Sequence, residues 1–318
     1  MESVQNQSNS RSAAARWGFL RPYVAWEYRF GRRMAATPVT AFAYEFFRFG
    51  VKQAWACLFG GIMVAMLLAS HLFYPRNAAL PRYDFLVIAS LAVQAAMLAF
   101  KLETWEEAKV IFLFHAVGTV MEIFKTAVGS WIYPEPSYLR IGGVPLFTGF
   151  MYAAVGSYIA RVWRLSDFRF VHHPPLWQVF LLAFGVYVNF FTHHYIFDAR
   201  WLLLALAGAI FWRTWIYYKV WKVHRRMPLL IACFLCTAFI WLAENIGTYS
   251  RAWIYPNQAN GWSMVSLSKM SSWFLLLIVS YALVALVTRP RNISEAERAA
   301  ITRRNGSLRQ APAPGPAA

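Results

Sequence analysis

Charge is scarce in this sequence. Asp, Glu, Lys and Arg make up 14% of its 318 residues, and only 14 of them are acidic. A soluble domain averages about 25% charged residues. Cysteine is scarcer still, at three. That excludes a disulfide framework. Cys233 and Cys236 do form a C-x-x-C. It lies inside an apolar stretch, where the thiols are expected to act as small packing residues. Arg32-Arg33 is not a twin-arginine export signal, because Glu45, Arg48 and Lys52 interrupt the apolar run that should follow.

Apolar residues are plentiful. They fill 59% of the chain, and aromatics alone fill 18%. The 31 Lys and Arg leave a formal net charge of +17. A basic balance of this size can signal nucleic acid, but here the cations are spread over loops and termini and form no groove-reading motif. No nucleic-acid partner is expected.

A bilayer core about 30 Å thick takes about 20 apolar residues per helical span. Eight stretches qualify, at about 54–74, 84–101, 109–128, 145–163, 176–196, 200–221, 228–249 and 271–288. None alternates with a period of two, so helices are expected rather than barrel strands. With the N-terminus inside, 23 basic residues fall on the inner side and six on the outer, while Lys125 and Arg213 fall within spans. This positive-inside asymmetry predicts eight spans with both termini cytoplasmic. Trp55, Trp131, Trp163, Trp177, Trp201, Trp221, Trp253 and Trp273 lie near span ends, where indole rings prefer the interface.

The expected fold is therefore all-α: a polytopic membrane protein of eight transmembrane helices. Residues 1–50 read as a basic and aromatic interfacial arm, 51–290 as the membrane domain, and 291–318 as a basic, partly disordered tail. The membrane domain shows an internal echo. Residues 122–134 read EIFKTAVGSWIYP and 244–256 read ENIGTYSRAWIYP, an offset of 122. The same offset relates Trp55 to Trp177 and His71 to His193. It predicts two parallel four-helix repeats, about 51–170 and 171–290. Sites tend to form between such halves.

Ionisable residues inside a membrane are costly and point to function. Glu122 and Glu244 lie in the outer thirds of spans three and seven. Lys125 is one turn beyond Glu122, at the spacing of an i,i+3 ion pair. His115 shares a face with Glu122. Span five ends in Asn189, Phe190, Phe191, Thr192, His193 and His194, with Asp198 close behind. His71 ends span one and Asp84 opens span two. On a helix, His193 and His194 point about 100° apart, so both can meet one centre only if the helix breaks. If a metal binds, His193 or His194 with Glu122 or Glu244 would hold it; no cofactor is indicated. His172 and His173, before Pro174-Pro175 in an inner loop, are expected to be solvated.

Several segments carry a family resemblance. RYDFL at 82–86, KLETWEEAKVI at 101–111, FHAVGTVMEIFKTAVGSWIYPEP at 114–136, GVPLFTGFMYAAVGSYI at 143–159, NFFTHH at 189–194 and WLAENIGTYSRAWIYP at 241–256 resemble the YoaT-like bacterial family, domain of unknown function 817. The resemblance covers about residues 50–290. It implies an integral membrane protein of bacteria and transfers no catalytic residue; with the spans and the charge asymmetry, a multi-pass protein of the inner membrane is expected. A shorter stretch is similar to membrane carotenoid hydratases: Glu122, Gly129, Trp131-Ile132-Tyr133-Pro134 and Gly143-Val144-Pro145-Leu146.

Three functions remain open. In the first, the protein is an enzyme acting on a lipid or isoprenoid. Glu122 or Glu244 is then the general acid, with His193 or His194 positioning or deprotonating water. Trp131, Tyr133, Trp253 and Tyr255 stabilise cationic character through their ring faces. Lys125, Asn189, Asp198, Asn245, Asp84 and His71 complete the binding surface. In the second, the protein is a proton-coupled transporter, with irregular segments expected at 142–145 and 257–261. In the third, it is a structural or assembly subunit of the membrane.

Overall fold

Thr37 starts the first helix. Its hydroxyl accepts from the Thr40 N–H, and Pro38 supplies the first helical residue without a backbone donor to waste. In the computed structural model, described over residues 37–221 and 223–310 with isolated positions 22, 30, 31 and 34 before them, helix α1 spans Pro38–Ala56. The chain then bends by 69° into α2 (Leu58–Phe73). Phe42, Phe46 and Phe47 of α1 are exposed, while Tyr44 and Glu45 turn inward. Most of the expected interfacial arm, residues 1–50, lies outside the described residues.

Helices α3 (Arg82–Ala99) and α4 (Trp105–Ala127) follow. A short hairpin of β1 (Arg140–Ile141) and β2 (Val144–Pro145) leads into α5 (Phe147–Leu165). Then come β3 (Arg169–Val171), α6 (Leu176–Thr192) and α7 (Arg200–Phe211). The pair β4 (Trp215–Lys219) and β5 (His224–Pro228) precedes α8 (Leu229–Tyr249), α9 (Lys269–Val287) and α10 (Glu295–Gln310). The protein is mainly helical, and helices α2 to α9 correspond to the eight apolar stretches.

Helices α3, α4, α8 and α9 are each long and apolar enough to cross a membrane, and the bent pair α1–α2 makes a fifth candidate. Helices α6 and α7 are apolar but shorter. The expected helix over 200–221 is corrected. Helix α7 has 12 residues, about 18 Å at 1.5 Å per residue, and the chain continues as a strand. The reason is local: Trp215, Ile216, Tyr217 and Tyr218 are aromatic or β-branched, the types that favour strands. They pair on both sides in an antiparallel sheet ordered β3-β4-β5.

This sheet gathers one end of the bundle. It joins the start of α6, the end of α7 and the start of α8, and Phe170 also bridges to Asn292 beyond α9. Lys52 of α1 ties in by donating to the carbonyls of Leu165 and Lys219, at 2.9 and 2.8 Å. His173 belongs here and is not solvated as expected. It is buried against Phe170 and Phe211 and bonded to the Tyr281 hydroxyl at 2.6 Å. Burial pushes its pKa below the usual histidine value. The expected interfacial Trp163 is buried too, stacked on Tyr281 with ring centroids 5.8 Å apart.

The helices pack in matching pairs: α2 on α5 and α6 on α9, α4 on α5 and α8 on α9, α2 on α3 and α6 on α7. Helices α5 and α9 meet in the middle. The core between them includes Phe59, Met63, Phe114, Phe150, Leu182, Ala207 and Ile278.

Candidate functional site: two buried carboxyl groups at the far end of the bundle

The other end of the bundle is organised by two helix termini built alike. At the end of α4, the Ser130 N–H donates to the Lys125 carbonyl at 2.9 Å and the Gly129 N–H to Thr126 at 3.1 Å. Gly129 has φ 72°, the left-handed conformation this stop requires. At the end of α8, Ala252 donates to Gly247 at 3.0 Å and Arg251 to Thr248 at 3.0 Å, with Arg251 at φ 54°. A side chain in that conformation is strained by about 1–2 kcal/mol, so the second terminus is held by its surroundings.

Each stop turns the chain back across its own helix. Tyr133 then donates its hydroxyl to Glu122, and Tyr255 donates its hydroxyl to Glu244. Between them, Ile132 and Ile254 exchange both backbone hydrogen bonds at 3.0 Å. The two Trp-Ile-Tyr-Pro segments therefore lie side by side, antiparallel, joined at corresponding residues.

Both carboxyl groups are buried. Glu122 accepts three bonds: from Tyr133, from the Trp131 Nε1–H at 2.7 Å and from the Tyr152 hydroxyl at 2.7 Å. Glu244 accepts from Tyr255 and from the Trp273 Nε1–H. Neither has an ion pair among the described residues. Burying a carboxyl group without a cation is costly, and neutral donors aimed at it offset that cost. The Trp131 ring meets Tyr255 edge-on at 6.2 Å, so the two carboxyl units touch through aromatic groups. Lys269 lies over the Tyr255 ring at 4.4 Å.

An apolar cleft begins at these donors. Tyr152 and Trp273 line it with Phe114, Met121, Ile240 and Leu276. The space within it is small, about 30 Å³. It is a narrow groove between helices, not a chamber.

Other expected site residues fall into separate groups. The Glu122–Lys125 ion pair does not form. The Lys125 Nζ turns away to the Nε2 atoms of His193 and His194, at 3.3 and 2.7 Å. The helix break required for both histidines to converge is present, because α6 ends at Thr192. Asp84 is a loop clamp: its carboxylate accepts the backbone N–H groups of Tyr138 and Leu139, both at 2.8 Å. Asn189 ties down the next loop through Asp198 and Ala199. Asn245 holds Trp241 and Val265. Trp253, the counterpart of Trp131, packs on Gly247, and the donors to Glu244 are Tyr255 and Trp273 instead. His71 meets Tyr249 ring to ring at 5.8 Å. His115 packs against Phe150. Among the described residues, no three His, Cys, Asp or Glu side chains are placed to share a metal ion.

Tyr152 and Trp273 were not legible as partners of the carboxyl groups. Trp273 carried the mark of an interfacial residue, and Tyr152 stands alone on α5, outside the repeated segment. What places Tyr152 is Gly118. A Cβ there would lie 2.7 Å from the Tyr152 ring and 2.8 Å from its Cβ. Gly118→Ala is therefore expected to push α4 and α5 apart at this level, costing about 1–3 kcal/mol. Thermal unfolding in detergent measures this, with Gly61→Ala, where a Cβ meets nothing, as the control. Equal melting temperatures for the two variants would refute it.

A bundle of apolar helices, with two tyrosine-bound carboxyl groups at one end, defines the class: a helical protein with spans of membrane type. The chain belongs to the family described as protein of unknown function DUF817, whose model matches residues 45–281. It is 47% identical over 237 residues to the uncharacterized protein YoaT of Bacillus subtilis (strain 168), covering 74% of this chain and 89% of that one. No solved structure matches.

Proposed function

We propose that the protein crosses the bacterial cytoplasmic (inner) membrane eight times, with both termini inside, and performs acid–base chemistry on a lipid or isoprenoid near the outer leaflet. The observation that carries this is the pair of buried carboxyl groups, each bonded by a phenol and an indole N–H, with one donor of each, Tyr152 and Trp273, lining an apolar cleft. Such a group can deliver a proton to a double bond or a leaving group. The faces of the surrounding Trp and Tyr rings then favour the cationic centre that forms.

Eight crossings are supported by the alternation of contacts. The starts of α6 and α8 and the ends of α5, α7 and α9 lie at the sheet, while the ends of α4 and α8 meet at the Ile132–Ile254 bridge. The excess of basic residues falls on the sheet side. Two parallel four-helix repeats are supported by the shared offset of the bridge, the two Glu–Tyr pairs and the two helix stops. These paired halves favour the alternative of a proton-coupled transporter.

The test compares lipid and pigment extracts, by mass spectrometry, from cells lacking the protein and cells supplied with the wild type or the Glu122→Gln/Glu244→Gln pair. A product present only with the wild type is expected. Identical extracts from all three, with solute flux into vesicles holding the wild type, would replace the enzyme with a transporter.

A further inference from the structure

The end of the bundle that holds the carboxyl groups has few basic residues, and three of them cluster. Lys125 ends α4, Arg200 starts α7 and Lys269 starts α9. Lys125 lies within electrostatic range of Lys269, Arg200 and the carboxylate of Asp198, and Lys269 within range of Glu244 and Arg200. His193 and His194 both meet Lys125, their ring centroids 4.1 Å apart. The acceptors nearby are already engaged. Asp198 pairs with Arg200 at 3.2 Å and takes the Asn189 amide at 3.1 Å. Glu244 is held by Tyr255 and Trp273.

Lys125 and Lys269 have no carboxylate ion pair among the described residues. Lys125 instead rests on neutral partners: the two imidazole Nε2 atoms and the face of Phe190 at 4.3 Å. His193 bonds the Asn189 carbonyl through Nδ1 at 2.8 Å, which puts its proton there and leaves Nε2 as an acceptor for the ammonium group. Like charges gathered in a partly desolvated place repel, and an anion among them removes the repulsion. The flanking loop is apolar and open: Tyr195, Ile196, Phe197 and Trp201 are all more than two-thirds exposed except Ile196, at 66%. An exposed apolar patch beside a cationic group suits a ligand that is charged at one end and greasy at the other.

We propose that Lys125, Arg200 and Lys269, with His193 and His194, bind the phosphate group of an anionic lipid. The ammonium of Lys125 donates to a phosphate oxygen, Lys269 and Arg200 close around it, and the lipid chains lie along the 195–199 loop and Trp201 at the start of α7. The inference rests on the outer-end placement proposed above and not on the acid–base role of the glutamates.

The test uses the full chain purified in phosphatidylcholine nanodiscs. Binding of dioleoyl phosphatidic acid, farnesyl phosphate, diacylglycerol and inorganic phosphate is measured by native mass spectrometry and by thermal shift. The two lipid phosphates are expected to bind and diacylglycerol not to. Lys125→Gln/Lys269→Gln is expected to weaken binding by at least about tenfold, the loss of one or two charge-assisted bonds. Lys125→Arg, which keeps the charge, is expected to retain binding and shows that the site tolerates substitution. Glu122→Gln is expected to leave binding unchanged, which separates this site from the chemistry of the carboxyl groups. Equal binding by the wild type and the double Gln variant overturns the proposal. Inorganic phosphate binding as tightly as either lipid overturns the lipid as its source.

Discussion

Glu103→Gln is expected to lower the unfolding free energy by about 3–5 kcal/mol, the usual cost of stranding a buried charge. Glu103 lies between α3 and α4, and its side chain is fully buried, as is that of Arg161 on α5. They are 3.8 Å apart. The carboxylate has other partners: the Ser157 hydroxyl at 2.8 Å and the Gln94 amide. The guanidinium lies over the Trp55 ring at 6.0 Å, but none of its three nitrogens makes a hydrogen bond among the described residues. Its stability therefore depends on charge, and Glu103 is the nearest counter-charge. Gln keeps the shape and removes the charge.

Two companions separate charge from packing. Arg161→Met leaves Glu103 with its two donors, so it is expected to cost less than Glu103→Gln. Combining the two is expected to recover part of the loss, because no buried cation remains unpaired. Denaturation in mild detergent measures all three. A Glu103→Gln protein as stable as the wild type would show that the pair contributes nothing.

On the proposed acid–base role, Glu122→Gln is expected to reduce product formation by about 10²–10⁴-fold, the range for removing a general acid. The amide can still accept from Tyr152 but has no acidic proton to give. Tyr133→Phe is expected to cost less, because Trp131 and Tyr152 still hold the carboxyl group. Glu244→Gln is the informative partner. Glu244 has two donors where Glu122 has three, so the two sites differ in environment despite their shared spacing. If one glutamate is the acid and the other a structural acceptor, only one Gln variant loses product. Full product from both single variants and from the pair would remove the acid–base role.

Much of the fold was legible in the sequence, because burial in lipid and helical hydrogen bonding leave a long apolar run little choice. The eight stretches each contain a helix. The eleven-residue spacing from Glu to Tyr, with a turn between, was visible twice and is realised twice as a hydrogen bond. The end of α7 was not legible. Trp215–Tyr218 is aromatic and β-branched, which suits the interfacial end of a span or a strand, and its pairing partners, 44 to 48 residues back and in the following strand, decide for the strand. His173 was misjudged for a related reason: its partner, Tyr281, lies 108 residues away.

The local chemistry of the chain determined which segments are helical, where they stop and which side is basic. Those properties depend on residues within a few turns of one another. The tertiary structure decided which donors reach each carboxyl group, that Lys125 leaves Glu122 for two histidines, and that Asp84, Asn189 and Asn245 hold loops. A side chain chooses among partners brought from distant helices, and that choice depends on how closely the helices approach. Gly118 shows the scale: one missing Cβ sets the distance between α4 and α5, and so places Tyr152 on Glu122.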